Sequence, residues 1–280
     1  MSTLYITDLD GTLFDNTSQV SEPSAKIINS LIDEGVLFSV ATARSTASAM
    51  EKLSAIRFRL PIALMNGVLL FDTVTHTYIN HFPIDAKTAA AVIDTMDEFG
   101  HTAYVFTFAE NQLYANYKKL TTSFQRQFRE ERKASRLKQF EQVSDFRTLL
   151  GMRDIIFFSM TGTYDELLPL CNQLKSTTAG LNILMYEDHV NRIWFLEAFD
   201  AHASKANAML YLKQYCGAAE TVCFGDNYND VDMMHEADRS YAVANAVDAA
   251  KQAATSVIGY NYEGAVAALM QEECKKAGIL

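Results

Sequence analysis

An α/β protein built on a doubly wound parallel sheet, split by an inserted α+β segment, is the fold class this sequence predicts, and three observations predict it. Apolar runs of strand length alternate with helix-patterned segments over residues 4–81 and again from 204 onward. Between them the rhythm changes to strand pairs joined by short turns. Polar residues, most of them acidic, follow the apolar runs at the ends where open sheets of this class gather their ligands. A length of 280 residues also exceeds the usual single-core domain and favours two domains or one large insertion.

In chain order, Leu4-Tyr5-Ile6 opens a buried strand that runs to Leu9. Ser21 to Glu34 is a helix, with Ser21 and Pro23 suited to its start, Ile27, Ile28, Leu31 and Ile32 as its apolar stripe, and Gly35 as its stop. Val36 to Ala41 is a second strand, Ser45 to Leu53 a helix, and Ile62 to Met65 a third strand broken by the turn dipeptide Asn66-Gly67. Val68 to Phe71 and Thr77 to Asn80 fit a hairpin. The insertion then reads as helix 85–99, strands 101–108 and 112–117, a charged helix 118–138, strand 155–160, helix 164–175 and a last strand pair at 182–186 and 193–196. Alternation resumes with helix 204–215, strand 221–224, helix 229–236, strand 240–243 and helices 247–254 and 263–278. The expected organisation is a discontinuous Rossmann-like core of residues 1–81 and 190–280 around an α+β domain at 82–189.

Composition limits the function. Apolar residues at 49% and charged residues at 21% are typical of a soluble globular protein, and no apolar run reaches the roughly 18 residues that span a bilayer, so membrane residence is not expected and a cytoplasmic location is. A net charge of −10 without a dense Lys/Arg run repels nucleic acid but leaves room for a small anion at a local positive site. Four widely spaced cysteines offer neither a zinc site nor a disulfide framework. Oligomeric state is not legible.

The chemistry concentrates where strands end. Asp8 and Asp10 lie two apart in Asp8-Leu9-Asp10-Gly11-Thr12, and on a continuing strand they would share a face. Paired carboxylates there raise each other's pKa unless a cation compensates them. Thr42 follows Phe38-Ser39-Val40-Ala41, and Asp226-Asn227-Tyr228-Asn229-Asp230 follows Val222-Cys223-Phe224-Gly225. Lys205 opens a helix, where a cation is unfavourable unless an anion sits beside it, which suggests a bound phosphate. A hard divalent cation balances this acidic set, and Mg2+ fits best because it takes oxygen ligands and is completed by substrate phosphate. Taken singly, Thr42 would be a strand-end hydroxyl, Lys205 a surface lysine, and Asn229 and Asp230 helix caps.

Together these residues resemble the haloacid dehalogenase superfamily, and within it the Cof-type phosphatases. The resemblance covers essentially the whole chain and rests on Asp8 to Leu13, Thr42-Ala43-Arg44, Asn66-Gly67, Lys205 and Gly225 to Asp230, with Ala43 where the family commonly has glycine. It implies Asp8 as nucleophile and Asp10 as general acid and base. It implies Mg2+ held by the side chains of Asp8 and Asp226 and the backbone carbonyl of Asp10, with Asn229 and Asp230 orienting that shell. Thr42 and Lys205 would hold the phosphoryl oxygens, and Ala43, Arg44, Asn66, Gly67 and Asn229 would complete the substrate side. The implied activity is a Mg2+-dependent phosphatase acting on a small phosphorylated metabolite, with a sugar phosphate as the leading class. A phosphomutase of the same architecture and a non-catalytic sensor of a phosphorylated ligand are the alternatives. His202 and His235 are expected to be solvent-facing or packing residues, the run Arg126 to Lys138 a solvated helix face, and Tyr104, Phe106 and Phe108 core.

Overall fold

The computed structural model describes residues 2–188 and 191–279. Strand β1 (Thr3–Thr7) is followed by a tight turn, then by helix α1 (Glu22–Asp33), β2 (Leu37–Val40), α2 (Thr46–Lys52), β3 (Ile62–Leu64), β4 (Leu69–Asp72) and β5 (Thr77–His81). The side chain of Ser21 caps α1 through the Ser24 N–H, and α1 buries Ala25, Ile28, Leu31 and Ile32 as its apolar spacing requires. Next come α3 (Ala86–Glu98), β6 (Ala103–Ala109), β7 (Gln112–Tyr117), α4 (Ser123–Arg132), β8 (Gln139–Gln142), β9 (Asp154–Gly162), α5 (Tyr164–Thr177), β10 (Leu181–Asp188) and β11 (Ile193–Asp200). The chain finishes with α6 (Lys205–Cys216), β12 (Glu220–Gly225), α7 (Val231–Glu236), β13 (Arg239–Ala242), α8 (Asp248–Ala253), β14 (Ser256–Val257) and α9 (Ala265–Lys276).

Two compact units emerge: residues up to Asn80 together with those from Ser204 onward, and His81–Ala203. The first holds a parallel sheet in the order β14-β13-β12-β1-β2. Its centre is apolar, with Leu4, Ile6, Val222, Cys223 and Phe224 fully buried. β3 pairs antiparallel with β4, and Ala63 touches the main sheet through a single parallel bridge to Ala41. It therefore sits as a satellite strand, not as a full third parallel strand.

The second unit carries a mixed six-stranded sheet in the order β10-β11-β9-β6-β7-β8. One face packs on α3 and α5 around Val92, Ile93, Met96, Phe158, Leu167 and Leu170. The boundary expected between 189 and 190 lies outside the described residues. The flanking β10 and β11 pair from Leu181↔Asp200 to Asp188↔Ile193, so β11 belongs to this sheet and the unit runs to Ala203.

The helix expected over 118–138 is shorter. Thr122 and Gln125 form a reciprocal capping box that starts α4, and β8 follows it, adding a parallel edge to β7. Lys138 is consequently not part of a solvated face. It is buried, with its Nζ 4.6 Å from the Phe128 ring centroid and 5.5 Å from those of Phe106 and Phe140, and burial pulls its pKa down to about 7. Tyr104, Phe106 and Phe108 are buried. Glu197 on β11 accepts from the Tyr186 hydroxyl at 3.0 Å while its second oxygen has no hydrogen-bond partner, and burial lifts its pKa to about 7. The His202 imidazole is exposed and pairs with Asp200 at 2.8 Å. All four cysteines are free thiols. Among the described residues no helix is long and apolar enough to cross a membrane.

Candidate active site

Two neighbouring parallel strands, β1 and β12, deliver the acidic cluster to one sheet edge, and β2 brings Thr42 to the same edge. Thr7 is aligned with Phe224 on one side and Val40 on the other, so the residues that follow β1, β12 and β2 emerge side by side. Asp8 anchors this edge through its N–H on the Phe224 carbonyl at 3.0 Å, and Ala41 donates to the Thr7 carbonyl at 3.0 Å. Asp8 therefore leaves the strand beside Asp226, with Thr42 on its other flank.

The chain does not continue as a strand past Asp8. Asp10 (φ −70°, ψ 125°) and Gly11 (φ 75°, ψ −6°) have the dihedrals of a type II turn, whose second central position favours glycine. Gly11 is required twice over, because a Cβ there would also fall inside contact distance of the Asp226 carboxylate. The expectation that Asp8 and Asp10 share a strand face is thus corrected: the turn redirects Asp10. Its carboxylate meets Arg44 instead, with Nε and Nη2 each 2.6 Å from one oxygen.

Asp8, Asp226 and Asp230 do converge, with ligand oxygens all within 4.8 Å of one another. Lys205 is buried against them, its Nζ 2.8 Å from Asp8 and 2.7 Å from Asp230. The anion that offsets Lys205 in this structure is therefore this pair of carboxylates, where the sequence suggested a phosphate. Asp230 is saturated by the protein, since its other oxygen accepts the N–H groups of Asp226 and Asn227 at 2.9 and 3.0 Å. That makes it the organiser of the loop. Asp226 accepts from the Thr12 hydroxyl at 2.9 Å.

Burial pushes the Asp8 pKa well above the usual range; Lys205 opposes this, and Asp230 and Asp226 add to it. Burial, then Asp230, raises Asp226 to about 6. Burial alone would lower the Lys205 pKa, but the carboxylates of Asp230 and Asp8 outweigh it and hold the ammonium charged. The electrostatic problem thus lies among Asp8, Asp226 and Asp230, not between Asp8 and Asp10. An all-oxygen donor set in which burial makes Asp8 and Asp226 resist ionisation is one that a hard cation fits.

The remaining expected residues surround this cluster. Thr42 is buried, and its carbonyl accepts the Asn66 N–H at 2.9 Å. Asn229 donates to Asn66 Oδ1 at 3.0 Å, which joins the loop after β12 to the turn after β3. Gly67 (φ 88°) lets that turn run against the Ser204 carbonyl, and Ser204 caps α6 through the Asn207 N–H at 3.0 Å, fixing Lys205 as its first residue. Ala43 is exposed on the turn between Thr42 and Arg44.

Sequence reasoning gave no role to Thr12 or Asn245. Asn245 donates to the Gly11 carbonyl at 2.7 Å and so holds the Asp10–Gly11 turn from the far side. It follows β13 just as Thr42 follows β2, so the same strand-end rule applied to that strand would have found it.

A family model described as haloacid dehalogenase-like hydrolase matches residues 5–270. Phosphatase YwpJ of Bacillus subtilis is 25% identical over 96% of this chain and 98% of its own length. The 5-amino-6-(5-phospho-D-ribitylamino)uracil phosphatase YwtE of Bacillus subtilis is 23% identical over 93% of this chain and 94% of its own. Among solved structures, the subclass IIB sugar phosphatase BT4131 superposes with a TM-score of 0.72 at 18% identity, covering 100% of both chains, which is a likeness of fold.

Proposed function

The chain belongs to the haloacid dehalogenase-like hydrolase family, and from that premise we propose that it is a Mg2+-dependent phosphatase of a small phosphorylated metabolite, with sugar phosphates as the leading substrate class. The observation that carries this reading is the cluster of buried Asp8, half-buried Asp226 and buried Asp230 beside the Lys205 ammonium. Asp8 and Asp226, with the backbone carbonyl of Asp10, are the groups that would hold magnesium, whose charge would offset the carboxylates and the phosphoryl oxygens.

In this reading Asp8 attacks phosphorus and forms an aspartyl phosphate while the ester P–O bond breaks and Asp10 protonates the leaving alkoxide. Asp10 then takes a proton from water, whose oxygen bonds to phosphorus and returns Asp8 to its carboxylate. In the same reading Lys205 keeps the nucleophile oriented throughout, and the Thr42 hydroxyl meets phosphoryl oxygens. Positioning and charge complementarity of this kind supply most of the rate in phosphoryl transfer. The inserted unit is read as the cap that selects the leaving group.

The test is phosphate release from a panel of phosphorylated metabolites in the presence of magnesium, with wild type and Asp8→Asn compared. Wild type is expected to turn over and Asp8→Asn to lose about a thousandfold or more. Equal rates would overturn the nucleophile assignment. An isomeric phosphate formed without inorganic phosphate would identify a mutase.

A further inference from the structure

The loop after β13 is bonded to both backbone segments that the reading above assigns to magnesium. Val243 donates its N–H to the Gly225 carbonyl at 3.3 Å and Val247 donates to the Asp226 carbonyl at 2.9 Å, so the loop lies along the end of β12. From its middle the Asn245 side chain crosses to the other segment and donates to the Gly11 carbonyl at 2.7 Å. That carboxamide is itself aimed. Its oxygen accepts the Asn261 N–H at 3.1 Å, and Asn261 is buried with its side-chain nitrogen 2.8 Å from the Phe14 carbonyl.

These bonds close a ring. It runs from Gly11 to Thr12, from the Thr12 hydroxyl to the Asp226 carboxylate at 2.9 Å, from the Asp226 carbonyl to the Val247 N–H, and through Ala246 back to Asn245 and Gly11. Every other tie in the ring belongs to the backbone or to Asp226 itself. Asn245 is the member that can be removed without touching a group read as holding the metal.

The turn inside this ring is soft on its own. The direction of the Asp10 carbonyl depends on ψ of Asp10 (125°) and φ of Gly11 (75°), and glycine has no Cβ to restrict its side of that pair. Asn245 grips the peptide that follows Gly11, so the turn is ordered before any ligand arrives. Without that grip, a ligand of the Asp10 carbonyl would have to order the turn itself, and ordering the backbone of one residue corresponds to about tenfold in binding. The carboxamide is uncharged, so its loss alters the aim of the site and leaves the site's charge as it was.

Resting on the magnesium-dependent reading, we propose that Asn245 is a positioning residue for the metal site: through Gly11 it fixes the Asp10 carbonyl relative to Asp226, and it acts without contacting the substrate.

The test is calorimetric titration of the full chain with magnesium. Asn245→Ala is expected to bind magnesium about tenfold more weakly than wild type. Asn245 lies at the surface, so the substitution leaves the core packing in place. Asn245→Ser, polar but too short to reach Gly11, is expected to match Asn245→Ala, and wild-type affinity in either variant would overturn the proposal. A lowered urea midpoint with unchanged magnesium affinity would make Asn245 purely structural and overturn it as well. With 4-nitrophenyl phosphate, the magnesium needed for half the maximal rate should rise by the same factor, while KM for the ester at saturating magnesium stays within about twofold of wild type. A raised KM at unchanged magnesium dependence would make Asn245 a substrate contact and refute the positioning role. The metal-free protein gives a further readout: the Gly11 amide signal in 1H–15N spectra should be sharp in wild type and broadened or doubled in Asn245→Ala, and an unchanged signal would count against the proposal. If wild type binds magnesium and the variants weaken as expected, yet no phosphorylated substrate releases phosphate, the phosphatase reading fails and the positioning role stands.

Discussion

Replacing Lys205 by methionine keeps the length of the side chain and removes its charge. The Nζ of Lys205 contacts Asp8 at 2.8 Å and Asp230 at 2.7 Å, and its side chain is 1% exposed. Removing one partner of a buried ion pair costs about 3–5 kcal/mol, because the other charge is left without compensation. Here two carboxylates are left, but Asp8 is already pushed toward its protonated form by burial and can shed its charge by taking up a proton. The lower end of the range, about 3 kcal/mol, is therefore expected, or roughly a hundredfold in the folding constant. Urea unfolding of the metal-free protein measures it: with a slope near about 2–3 kcal/mol/M the midpoint falls by about 1 M. A variant within about 0.5 kcal/mol of wild type, the range of ordinary surface changes, would mean that something other than Lys205 balances Asp8 and Asp230.

Three further outcomes follow from the geometry. Gly11→Ala forces a positive φ on a residue with a Cβ and drives that Cβ into Asp226, so it should cost about 1–3 kcal/mol in urea unfolding and weaken magnesium binding by calorimetry; an unchanged metal affinity would show that the turn does not set Asp226. Magnesium at about a hundred times its dissociation constant should stabilise wild type by about 2.7 kcal/mol and Asp226→Asn by far less, and absence of any stabilisation of wild type would remove the metal from this site. Glu197 has its folded pKa raised from 4.5 to about 7, so the folded state binds the extra proton and the stability it contributes falls as pH rises from about 4.5 to 7. Glu197→Gln should flatten that fall and gain on wild type by up to about 3 kcal/mol at pH 8, but not at pH 4; parallel pH profiles for the two proteins would refute the burial of an ionising Glu197.

The strands and most helices were legible because their periodicities are simple. Leu4 to Ile6 and Val222 to Phe224 are apolar on both faces, as strands buried in a parallel sheet must be, and α1 carries its stripe, cap and stop in one stretch. Helix 118–138 was overextended because its charges look helical throughout, whereas what ends α4 near Arg132 is the demand of β7 for a parallel neighbour, a contact made from outside the segment. The acids of the site were legible for a chemical reason, since buried carboxylates without a task are costly. The aim of Asp10 was not, because alternation holds only while the strand lasts, and it ends at Thr7. The Arg44 fork was equally hidden: 34 positions separate it from Asp10, and nothing local to either residue specifies the pairing.

The meeting of Gly67 with Ser204 bears on how such a chain can diversify. A slip of one residue in α6 would turn Lys205 by about 100° and carry its ammonium away from Asp8 and Asp230. What prevents the slip is contact between the Asn66–Gly67 turn and the backbone of Ser204, the residue at which the chain re-enters the first unit. The phase of the helix is therefore fixed at its point of entry, independently of how many residues precede it. The segment from His81 to Ala203 takes no part in that contact, so the register of Lys205 is set by residues of the first unit.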